Sequence, residues 1–200
     1  GGHLAEYDTL GECNLGEEYL RAWKERSEQY LKRSGKQGSM NGYLPYKESL
    51  DIIREHINPD RALEPERSFA NDLRIEVIDE LGFGTDEDMD RVRYYPAGGK
   101  WEQGKGSALD RFHGVDAWIE VETSEGPLVV TLDASKKVKS HNPVAGEGLL
   151  KADLWVPEVP DTEDETFRMI ETLAGQVVTV LKKKASERRG GTELLNQNSV

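Results

Sequence analysis

The sequence predicts a layered α/β or α+β domain with a helical appendage at its N-terminus. Three observations carry that reading. Strand patterns at Val115–Glu122 and Leu128–Ser135 are joined by a turn at Glu125-Gly126-Pro127. Helical patterns at Pro65–Leu81 and Thr162–Lys184 bracket them, each with an apolar face fit to cover a sheet. Two more helical stretches fall within residues 1–60, separated by a glycine-containing linker.

The elements follow in chain order. In Leu15–Arg33, Leu15, Tyr19, Trp23 and Tyr30 recur near helical spacing, with Glu17/Arg21 and Glu28/Lys32 placed to pair across one turn. Ser34-Gly35 ends this helix. Pro45–Ile57 is the second, carrying Leu50, Ile53 and Ile57 as its stripe and stopped by Asn58-Pro59. Phe69, Leu73, Val77, Ile78 and Leu81 form the face of the third, which Gly82 closes. Val92–Tyr95 and Ala152–Val156 read as short strands. Thr162 and Glu165 have capping-box spacing ahead of the last helix, whose acids cluster at its start and lysines at its end. Residues 186–200 are polar and expected to be disordered. The domain boundaries expected are therefore an appendage over 1–60, a core over 61–185 and a tail.

Composition bounds the function. The 200-residue chain has a net charge of −12, which argues against tight non-specific duplex binding by this chain alone. The charge is uneven: residues 1–90 hold 21 acids against 11 bases, while residues 91–140 hold 8 bases against 7 acids. No apolar run approaches the roughly 20 residues of a membrane helix, and the N-terminus lacks a signal-peptide pattern. No membrane association is expected. The chain opens on Gly1-Gly2, so upstream sequence is an open matter. Cys13 is the single cysteine; it excludes an intrachain disulfide and fits an intracellular, cytoplasmic setting. No basic neighbour activates it.

Several motifs are weighed and set aside. The acidic loop after Gly82 lacks the ligand ladder of a calcium loop, the glycine-rich stretch 97–107 lacks Walker spacing, and no G-x-S-x-G elbow is present. His3, His56 and His141 show no metal spacing. Trp101, in the glycine-rich loop, is either a stacking surface for a base or a plug over the core.

The chemistry-bearing candidates lie on the hairpin. Strand alternation puts Asp116, Trp118 and Glu120 on one face, and Ala117, Ile119 and Val121 on the other. Val129, Thr131 and Asp133 share a face of the next strand. An aspartate within V-V-T-L-D-A calls for a partner. Lys136 and Lys137 follow closely, and Lys137 keeps the face of Asp133 if the strand continues.

A helix with an acid, a strand with an aspartate, then a strand with an acid followed by lysine resembles the PD-(D/E)xK nuclease superfamily, over about residues 65–185. The resemblance implies a mixed central sheet flanked by helices and metal-dependent hydrolysis of nucleic-acid phosphodiesters. It implies Mg²⁺ or Mn²⁺ held by Asp116 and Asp133, a helical glutamate at Glu76, and a lysine at 136 or 137. Here Asp133-Ala134-Ser135 departs from the acid-x-lysine motif. Arg111, His113, Trp101 and Lys139 are the candidate nucleic-acid contacts, with a backbone-bonded loop role as the alternative for His113. Two other functions stay open. One is a binding or assembly module that docks a protein partner through Tyr19, Trp23 and Tyr30; the other is an inactive protein of nuclease fold.

Overall fold

A computed structural model describes residues 3–36, 41–100 and 103–188. The centre is a four-stranded mixed sheet in the order β1-β2-β3-β6. Strands β1 (Val92–Pro96), β2 (Ala117–Val121) and β3 (Leu128–Ala134) run antiparallel in turn, and β6 (Leu154–Val156) pairs parallel to β3. Between β3 and β6 the chain makes a small parallel pair, β4 (Lys139–Ser140) and β5 (Gly148–Leu149). The β2–β3 turn closes on Gly126, whose φ of +93° suits glycine. The Thr123 hydroxyl donates to the Gly126 carbonyl at 2.6 Å and accepts from the Glu125 amide.

The first face of the sheet is apolar in the alternation the sequence predicts. Ala117, Ile119, Val121, Val130, Leu132 and Ala134 are buried there with Val92 and Tyr94. Helices α5 (Ser68–Leu81) and α8 (Glu163–Glu187) cover it with Leu73, Val77, Leu173, Val177 and Leu181. Thr162 caps α8 by accepting from the Glu165 amide, as its spacing predicts. Helix α8 runs to Glu187, past the start of the expected tail; residues 189–200 lie outside the described residues.

The second face carries the other core. Trp118 stacks on Tyr95 with ring centroids 4.6 Å apart. Around them pack Tyr19 and Trp23 of α2 (Gly16–Ser34), Leu50 and Ile53 of α3 (Tyr46–His56), and Leu109 of α7 (Ala108–His113). Helices α2 and α3, expected as part of an appendage over residues 1–60, thus supply a covering layer of the sheet. The reason lies in the sheet itself. A four-stranded sheet with large aromatics on both faces needs apolar cover on both. The buried stripe of α2, Tyr19, Trp23, Ser27 and Leu31, recurs every four residues and supplies it. Tyr19 and Trp23 are 1% and 3% exposed, which removes them as anchors for a protein partner.

Helices α1 (His3–Leu10), α4 (Pro59–Leu63) and α6 (Asp86–Met89) are short connecting pieces. Among the described residues, no helix is long and apolar enough to cross a membrane.

Candidate active site

The pairing that places Ala117 opposite Leu132 puts Asp116 opposite Asp133 at the same end of two neighbouring strands. The Asp116 amide donates to the Leu132 carbonyl at 2.8 Å, and the Asp116 carboxylate accepts from the Ala134 amide at 2.8 Å. Both side chains lie toward the second face, where the Asp116 carboxyl group acts on that of Asp133. The two aspartates stand side by side at that end of β2 and β3.

Asp133 is 4% exposed. Burial pushes its carboxyl above the usual carboxylate range. Hydrogen bonds and charge from Lys139 oppose that rise, as does the contact with Asp116. The Lys139 ammonium reaches both Asp133 oxygens at 2.7 Å. Lys139 stands six residues beyond its partner and returns to it from β4.

Lys139, expected as a nucleic-acid contact, is therefore the lysine of the site. Lys136 and Lys137, expected there, are not. Strand β3 ends at Ala134 and the chain bends away, so alternation no longer governs their direction. Both are exposed, and Lys136 pairs with Glu158 at 2.6 Å. Glu76 is also misplaced by the sequence reading. It lies on α5, which covers the opposite face, and the charges acting on it are those of Asp79, Glu171 and Glu80.

The other expected contacts sort as follows. His113 hydrogen-bonds through Nε2 to the Leu44 carbonyl at 2.9 Å, the backbone-bonded alternative. Arg111 lies over the Phe112 ring, 5.3 Å from its centroid. Trp101 lies outside the described residues.

The glycine loop after β1 shapes one wall. The Ala97 and Gly98 amides both donate to the Asp116 carbonyl. A Cβ on Gly98 would stand 3.4 Å from the Asp116 carboxylate. At Gly99 a Cβ would meet the Gly106 backbone nitrogen at 2.3 Å, so the loop crosses itself where only glycine fits.

Two further ion pairs flank the site, and sequence reading misses both. Glu120, 3% exposed, accepts from Arg54 Nε and Nη2 at 2.9 and 2.7 Å, from Trp118 Nε1 at 3.2 Å and from the Tyr95 hydroxyl at 3.3 Å. Asp153 accepts from the Thr131 amide at 2.8 Å and from Lys184 at 2.7 Å, and Lys184 also donates to the Val129 carbonyl. Asp153 and Lys184 thereby satisfy backbone groups of β3 ahead of its pairing with β6.

The donor set at Asp116 and Asp133 is two carboxylates. That suits a hard divalent ion that keeps much of its water and takes further oxygens from a phosphate. It does not suit an ion caged by protein alone. Among the described residues, no group of three or more His, Cys, Asp and Glu side chains is placed to hold a metal ion. Comparison with family models, with curated proteins and with solved structures finds no match to this chain.

Proposed function

We propose that this protein is a metal-dependent nuclease-like hydrolase of nucleic-acid phosphodiester bonds. The observation that carries the proposal is the convergence of Asp116 and Asp133 on adjacent strands, with Lys139 on Asp133. A buried carboxyl group with a second, half-buried one beside it is costly to keep. A site that must hold a divalent ion beside a phosphate is one use that justifies it.

In this reading Asp116 and Asp133 hold Mg²⁺ or Mn²⁺. The bound ion supplies Lewis acidity and a more acidic water. Lys139 does two things. It neutralises Asp133 before substrate arrives, and its ammonium stands ready to offset charge that develops on the phosphate. The Ala134 amide fixes the orientation of Asp116, because a carboxylate that accepts a backbone N–H has little freedom to turn away.

The test is cleavage of single-stranded and duplex DNA and RNA with Mg²⁺ or Mn²⁺. It compares wild type with Asp116→Asn, Asp133→Asn and Lys139→Met. Activity is expected in wild type and lost in both Asn variants. Lys139→Met is expected to cost about 10²–10³ in rate, the scale of removing one electrostatic stabiliser. Equal activity in all four proteins would remove the assignment of the site. No activity in wild type with either metal would favour a binding module built on the same sheet.

A further inference from the structure

We infer that the nucleic acid taken by this site is an unpaired strand, and that its bases stack on an aromatic surface formed by Tyr43, Tyr46, Phe112 and His113. This rests on the nuclease reading above and names the substrate class for it.

The four rings make one connected surface. Tyr46 meets His113 edge-on at 5.7 Å, Tyr43 lies 5.9 Å from His113, and Tyr43 meets Phe112 edge-on at 5.3 Å. The bond from His113 to the Leu44 carbonyl holds the middle ring in place. The surface is open: Tyr46 is 42% exposed, and the other three are half-buried. A pre-set, half-open aromatic surface gives a base a stacking partner at little ordering cost.

Charge links this surface to the carboxylate pair. The crossover from residue 136 to residue 151 holds four lysines and one acid, in a chain whose net charge is −12. It starts beside Asp133, places Lys139 on that carboxylate, and returns to α7. There the Lys151 side chain packs 3.4 Å from where a Cβ on Gly114 would stand. Gly114 follows His113 and precedes Asp116 by two residues. Lys139 at the carboxylate pair and Lys151 beside Gly114 therefore mark the two ends of the crossover, with Arg111 on Phe112 at the far side. A phosphate backbone follows cations, and ring faces take bases that are not already stacked and paired. A duplex offers no such bases to the rings.

The test is fluorescence anisotropy in EDTA, which separates binding from cleavage. The probes are a labelled single-stranded DNA, an RNA of the same sequence, and the corresponding DNA duplex. Wild type is expected to bind a single strand more tightly than duplex, the tighter of DNA and RNA naming the sugar. Tyr46→Ala is expected to weaken single-strand binding by about tenfold, the scale of one lost base stack, and Tyr46→Phe to restore it. Circular dichroism of Tyr46→Ala checks that the exposed ring is dispensable for folding. Equal or tighter binding of duplex overturns the inference. So does a Tyr46→Ala protein that binds single strands unchanged, or a wild type that binds none. Cleavage that needs Asp133 with binding indifferent to Tyr46 overturns the aromatic surface and keeps the nuclease. Tyr46-dependent binding by a protein that cleaves nothing does the reverse.

Discussion

Replacing Arg54 by Met tests how the N-terminal helices are held to the sheet. Arg54 reaches from α3 to the buried Glu120 carboxylate on β2 with two hydrogen bonds, 2.9 and 2.7 Å long. Breaking a buried ion pair by removing one partner costs about 3–5 kcal/mol, because the other charge is left uncompensated. Two features place this case at the low end. Trp118 Nε1 and the Tyr95 hydroxyl still donate to Glu120, and the Arg54 side chain is 22% exposed, so water can follow it out. The expected loss is about 3 kcal/mol. For a chain of this size that is a fall in Tm of about 6–12 °C. Urea unfolding followed by tryptophan fluorescence measures it directly. The control is the same change in a Glu120→Gln background, where only the partly exposed Asp51 carboxylate loses its partner. There Arg54→Met should cost under about 1 kcal/mol. A loss below about 1 kcal/mol in the Glu120 background would refute the reasoning. So would equal losses in both backgrounds, since the pair would then contribute packing alone.

Asp133→Asn should leave the fold intact and raise its stability at neutral pH by less than about 2 kcal/mol, the usual range when a strained site residue is relaxed. The folded-state pKa of Asp133 is raised by burial. Its contribution is thus present below the unfolded pKa and lost as pH rises through the folded value, so the charged form weakens the fold at pH 7. Lys139, 28% exposed, can turn to water once its partner is neutral. A variant that unfolds more readily than wild type at pH 7 would contradict this. Cys13 is 1% exposed, and burial pushes its thiol up to about 12 from an ordinary 9.0. Iodoacetamide should label it in urea and not in the native protein. The same rise means its stabilising contribution is full below pH 9.0 and falls away toward pH 12. The urea midpoint should drop across that window less steeply in Cys13→Ala, and parallel curves for the two proteins would count against it.

Much of the sheet was legible because period-two alternation is a local signal. Ala117, Ile119 and Val121 announce one face, and Trp118 and Glu120 the other, without reference to anything distant. Alternation also groups Asp116 with Trp118 on one strand and Asp133 with Thr131 on the next. It failed at Lys136 and Lys137, because it holds only while the strand continues, and β3 stops at Ala134. Lys139 returns to Asp133 through a bend and a two-residue strand, and no periodicity encodes such a path. The N-terminal helices mislead for a related reason. The stripe Tyr19, Trp23 and Leu31 says that a face is buried, not what buries it. An appendage with its own core and a layer on the sheet have the same hydrophobic pattern.

Glu120 and Asp133 are the buried acids among the described residues, and each meets a base from a distant or returning segment. Their surroundings separate their roles. Glu120 is enclosed by Arg54, Trp118 and Tyr95, and its bonds to Arg54 fix α3 against the sheet. Asp153 is more open, yet Thr131 and Lys184 use it to finish the hydrogen bonding of β3. Asp133 differs from both. Its neighbours are a second carboxylate and a lysine whose stem is partly in solvent. A structural pair has no use for a second carboxyl group, whose contact here works with Lys139 against the effect of burial on Asp133. A site that exchanges Lys139 for a cation and a phosphate does gain from it. That contrast within one sheet face separates Asp133 and Asp116 from the other acids, and the proposed chemistry rests on it.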